Sequence, residues 1–136
     1  MGYTQTRVQQ WTEVAGMDGE KIFAVGGSVG NRVIGTGTGG TVYLDGPTVP
    51  AGTLWVICSL LALDATSAIT LVQVGILRGG SHLTVGHTPR PAASQPAVNT
   101  THVVLFPGDA PEGVLWGTVA GDSLYLIYTG YSMVMP

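Results

Sequence analysis

Residues 33–46 read VIGTGTGGTVYLDG, and Gly35, Gly37 and Gly40 within them carry the spacing G-x-G-x-x-G. In a dinucleotide-binding turn the last glycines open a helix whose N-terminus holds a pyrophosphate. Here Gly40 is followed by Thr-Val-Tyr-Leu and then Asp-Gly-Pro, β-branched and aromatic residues closed by turn formers. No helix starts there and continues, and no βαβ unit follows. A phosphate loop is excluded too, because G-x-x-x-x-G-K-[ST] is absent. The glycines therefore read as a tight bend or bulge where chains approach closely, and the chain reads as all-β.

The same pattern continues outward. Strands are predicted at 21–25, 31–36, 41–44, 53–63, 69–77, 81–86, 99–106, 113–119 and 123–134. Between them stand Asp-Gly-Pro, Pro-Ala-Gly, Gly-Gly-Ser, Pro-Gly-Asp and Ala-Gly-Asp, in which Gly accepts positive φ and Pro fixes a turn φ. Turns roughly every ten residues mark a β-sandwich or barrel. Bulky groups fall on both faces of 69–77 and 123–131, which predicts strands covered on both sides. Only 54–64 also fits a helix, and 21 glycines and 8 prolines interrupt every long window. The expected fold is an antiparallel, jelly-roll-like β-sandwich over 21–136, preceded by a polar N-terminal arm at 1–20 whose large apolar group is Trp11. The segment 87–98, HTPRPAASQPAV, has three prolines and no apolar period, and is expected to be an extended surface loop.

Composition bears on partners. Of 136 residues, 45% are hydrophobic and only 10% charged, against about 25% charged in ordinary soluble domains. Mean hydropathy is positive, at +0.36. The basic residues are Lys21, Arg7, Arg32, Arg78 and Arg90. A surface so poor in charge is expected to be covered in part by other chains. A net charge of −3 with no basic cluster argues against nucleic acid. The apolar run 54–63 is too short to span a membrane as a helix, and the start lacks the apolar stretch of a secretory signal, so a soluble protein without membrane anchor is expected. One cysteine, Cys58, excludes an intramolecular disulfide and is expected to be a buried, inert thiol.

Candidate chemistry is sparse. His82, His87 and His102 invite a metal reading, yet H-x-H spacing and a nearby carboxylate are missing, and interface or surface roles are the default. Asp109, Glu112 and Asp122 lie in or beside Gly-containing turns, where an Asp side chain bonds the local backbone; a calcium site or a glycosidase pair would need them to converge. No G-x-S-x-G elbow is present. Asn99-Thr100-Thr101 matches a glycosylation acceptor but carries little weight without a secretory signal. No catalytic, cofactor or metal residue is assigned. Trp55 and Trp116 are expected to fill the core, and Tyr125, Tyr128 and Tyr131 to pack between subunits or to form a sugar platform.

Two stretches carry a family likeness. TVPAGTLWVICSLLAL (48–63), and LFPGD (105–109) followed by AGDSLYLIYTGY (120–131), resemble the strand-and-turn patterns of small virion proteins of tailed bacteriophages. The likeness spans the C-terminal two-thirds of the chain, and residues 1–47 have no counterpart. It implies a β-sandwich subunit without catalysis: a head decoration (cement) protein made in the host cytoplasm and carried on the capsid surface, homotrimeric and bound to the major capsid protein. A tail or fibre adaptor that binds a receptor or carbohydrate is the alternative. The contact residues expected on this reading are Arg7 and Trp11 in the arm, Pro89, Arg90 and Pro91 in the loop, and Tyr128 and Tyr131 near the end of the chain.

Overall fold

The glycines of 33–46 finish one strand, form a bend and lead into the next. In the computed structural model, which describes residues 24–135, β1 (Ala24–Thr36) contains Gly35, and β2 (Val42–Asp45) begins just beyond Gly40. Gly35 faces Leu44 across the sandwich, where a Cβ would collide with the Leu44 methyl. Gly37 is buried: its N–H donates to the Asp122 carbonyl at 2.8 Å, and its carbonyl accepts from Gly121 at 3.0 Å. The Gly40 carbonyl accepts from the Thr118 hydroxyl at 2.7 Å. The spacing thus serves close backbone approach, with no helix following it.

Seven further strands follow: β3 (Thr53–Asp64), β4 (Leu71–Arg78), β5 (Ser81–Pro89), β6 (Ala97–Asn99), β7 (Val103–Leu105), β8 (Ala110–Trp116) and β9 (Ser123–Val134). They form two antiparallel sheets. The first runs β1-β9-β3-β6, with β7 also on β3; the second runs β2-β8-β4-β5. Apart from the β4–β5 hairpin, the chain crosses from layer to layer as it enters these orders, which is the double Greek key of a jelly roll, with the strand after β5 split into β6 and β7. The hairpin β4–β5 turns on Gly79 and Gly80, both at positive φ (57° and 81°), as a two-residue type I′ turn requires.

Period-2 alternation sorts the side chains between core and outer face. In the first sheet, Val33, Leu126, Ala62 and Ala97 share one row, and Tyr128 with Leu60 the next. They pack against Leu44, Val72, Val74, Ile76 and Leu115 of the second sheet, with Ile57, Leu105 and Leu124 completing the core. At Cys58 a bulge in β3 shifts the register against β9 between Ile57 and Ser59. The Cys58 thiol is half-buried rather than fully enclosed.

Several expectations change at the boundaries. The predicted strands 21–25 and 31–36 are one long strand over the described residues, since Gly27 and Gly30 pair with β9 and Gly26 is taken up by a bulge instead of turning the chain. The predicted strand 99–106 is two short ones. The predicted loop 87–98 shrinks to 90–96, because β5 continues through Pro89 and β6 starts at Ala97. Arg7, Trp11 and the arm 1–20 lie outside the described residues.

Candidate functional site

Two outer faces present functional groups, one apolar and one mixed. On the first sheet, ladder partners share a face, so Ile34, Tyr125 and Leu63 form one outward row, and Arg32, Ile127, Leu61 and Val98 the next. Ile34 is 61% exposed and Val98 45%. Tyr125, Leu63, Ile127 and Leu61 are half-buried. Arg32 is the charged group in these rows, and its guanidinium lies over the Tyr125 ring, 5.5 Å from the centroid. Val104 is also exposed on this sheet, opposite Val56 on β3.

The second sheet turns Tyr43, Gln73, His87, Glu112 and Trp116 outward. The Trp116 indole N–H donates to Gln73 Oε1 at 3.2 Å, and Tyr43 stacks on His82 at 4.9 Å between centroids. Beneath that stack lies Glu112, only 2% exposed, with Oε1 2.6 Å from His82 Nδ1. Asp45 stands opposite Glu112 in the β2–β8 ladder, on the same face of the sheet. Burial, and next the Asp45 carboxylate, push Glu112 up to about 7 against the opposing pull of His82. Glu112 Oε2 is buried without a donor.

The turns hold three more buried acids. Asp64 takes the Thr66 and Ser67 N–H groups on Oδ1, at 2.8 and 2.9 Å. Asp122 takes the Ser67 hydroxyl at 2.8 Å and the Val119 N–H at 3.0 Å. The two carboxyls also meet: burial and then the Asp122 carboxyl raise Asp64, while its bond to Asp64 lowers Asp122. Asp109 accepts bidentately from Arg78 and from the Phe106 N–H. Its burial works against ionisation, but Arg78 and the Phe106 N–H outweigh it and hold the carboxyl below its usual range. These acids therefore close turns, as the Gly-Asp pattern suggests, and Asp109 and Asp122 do not converge with Glu112.

The sequence candidates separate on this frame. Tyr128 is corrected: at 2% exposure it lies in the core, stacked on Trp55 at 6.3 Å, because β9 turns its even-numbered residues inward. Pro91 is corrected as well. It is fully buried, held where the Ile69 N–H donates to its carbonyl and the Arg90 N–H to Thr70. Pro89 and Arg90 are exposed, and Tyr131 is half-buried. Trp116, expected in the core, is 39% exposed. His82 meets Glu112 rather than His87 or His102. Among the described residues no group of three or more His, Cys, Asp or Glu side chains is placed to hold a metal ion, and no cavity is found. No helix of the described residues is long and apolar enough to cross a membrane. The cluster of Asp45, Glu112 and His82 escaped sequence reading because its members come from three strands far apart in the chain.

Comparison with known proteins finds no matching family model and no matching curated protein. Among solved structures, the Drosophila NLP-core, whose crystal structure is described as giving insight into pentamer formation and histone binding, aligns with 78% of this chain and 97% of its own. Identity is 16% and the TM-score 0.36, a likeness too slight to carry any inference about this chain.

The raised carboxyls set a pH dependence. A folded-state pKa above the unfolded one gives stability that is complete below the unfolded value and is lost as pH rises through the folded value. Glu112 and Asp64 both act in this sense; Asp109 and Asp122, lowered, act only in stronger acid. Unfolding in urea is expected to be easier at about pH 8 than at about pH 5.5, by on the order of 2 kcal/mol from Glu112. Glu112→Gln is expected to remove most of that difference.

Proposed function

We propose that the chain is a non-enzymatic structural protein of a tailed-bacteriophage virion, a capsid decoration protein that binds the outer head surface as a homotrimer and stabilises the shell. The observation that carries this reading is the outer face of the first sheet, with two adjacent apolar rows in which, among the described residues, the single charge is Arg32. Such a face is covered at low cost by sister copies or by a lattice, and it is an aggregation hazard when bare. The stretches that resemble phage proteins support the same reading, since 48–63 leads into β3 and 120–131 into β9, adjacent strands of this sheet. Several copies engaged at once would strengthen a shell through multivalency, with no single strong contact. The test is binding of the purified protein to capsids that lack it, with capsid melting as readout. Saturable binding and a higher melting temperature support the reading; no binding at micromolar protein overturns it.

A second reading, a receptor- or carbohydrate-binding module of a tail, is favoured by Tyr43 and Trp116, both exposed on the second sheet beside Gln73 and His87. Aromatic faces edged by polar groups suit sugar rings. It moves the platform away from Tyr128, which the core occupies. Glycan binding abolished by Tyr43→Ala and Trp116→Ala, with the fold intact, would select it over the first.

A further inference from the structure

The second sheet carries a device that neither reading of function requires. Strand β2 has four residues, sits at the sheet edge and is paired with β8 alone. Tyr43 rides on it. Its last residue, Asp45, faces Glu112, and Glu112 reaches across the sheet to His82 on β5, under the Tyr43 ring. The groups facing Glu112 can be named strand by strand. From β2 they are Asp45 and Tyr43, and from β5 His82. From β4 the residue opposite is Gly75, and the charged residue of that strand, Arg78, is bonded to Asp109. Among the described residues the group that meets the pair from the opposite side is His82, whose Nδ1 lies 2.6 Å from Oε1, while Oε2 is buried with no donor.

We propose that Asp45, Glu112 and His82 form a proton-operated clasp that fixes β2, and Tyr43 with it, on the second sheet: closed while one proton is shared between the carboxyls, and released when that proton is lost. In the closed form the protonated carboxyl donates to its neighbour, and His82 Nδ1–H donates to Glu112 Oε1. When the proton leaves, two like charges face each other across one ladder pair, one of them out of water. Four residue pairs hold β2, whereas the β8–β4 ladder continues beneath Glu112 for seven. The edge strand is therefore the element that yields, and the Tyr43–His82 stack opens with it. A surface that includes Tyr43 would be firm in mild acid and loosened in mild alkali.

Hydrogen exchange on the full chain tests this, at about pH 5.5 and about pH 8.5, with rates corrected for intrinsic exchange. Amides of 42–45 are expected to lose about tenfold more protection at the higher pH than amides of β4. In Glu112→Gln, whose amide donates to Asp45 at any pH, the selective loss is expected to vanish. In Asp45→Asn, whose amide donates to ionised Glu112, it is expected to vanish as well, and this variant decides the matter if the first fails to fold. Equal protection of β2 at both pH values in the unaltered protein, or a selective loss that survives in the folded variants, overturns the clasp.

Discussion

Tyr128→Ala is expected to lower the unfolding free energy by ~3–5 kcal/mol, measured by urea denaturation, which makes it among the most damaging single changes in the chain. The reason is geometric. Tyr128 is 2% exposed, packs on the Trp55 ring and shares its row with Leu60. Gly46 also approaches it, for a Cβ on that glycine would sit 3.4 Å from the Tyr128 ring. Removing the ring leaves a void that two sheets, tied by long ladders, cannot close. Tyr128→Phe keeps the volume and is expected to cost less than about 1.5 kcal/mol. Were Tyr128 a surface contact, alanine there would move stability by no more than ~0.5 kcal/mol. The two accounts therefore differ by several-fold in one measurement.

Replacing Ile34 and Val98 together by glutamate is expected to do the reverse. Both side chains already lie in water, at 61% and 45% exposure, so the fold should keep its unfolding midpoint to within ~1 kcal/mol. Association between copies should weaken on the order of 100-fold or more, because two unpaired charges would enter an apolar contact. Sedimentation of the double variant beside the unaltered chain reads this directly. An association constant that does not change would place the contact on another face.

What the sequence disclosed follows from what local chemistry can encode. Gly40 ahead of Thr-Val-Tyr-Leu ruled out the helix that a cofactor turn needs, and the structure puts strand β2 there. Turn residues near 79–80, 107–109 and 120–122 marked true chain reversals, because Gly79, Gly80, Gly108 and Gly121 take positive φ. Facing was harder to read. In β9 both Leu124-Leu126-Tyr128 and Tyr125-Ile127-Thr129 are bulky, so alternation alone does not say which row meets the other sheet. The pairing with β3 across the Cys58 bulge decides it, and that information is non-local. Pro91 looked like a surface proline because its neighbours are polar. Its burial comes from Ile69 and Thr70, some twenty residues earlier, whose backbones bracket it. The Asp45–Glu112–His82 cluster was invisible for the same reason: a carboxyl pair is a property of a ladder, and each acid alone reads as a solvated turn residue.

The account rests on the apolar outer face of the first sheet being covered by sister chains. Light scattering coupled to size-exclusion chromatography, run on the full chain over a range of concentrations at about pH 5.5, measures this most directly. The account predicts the mass of three chains. A mass of one chain at every concentration, from a sample that stays clear, would contradict it.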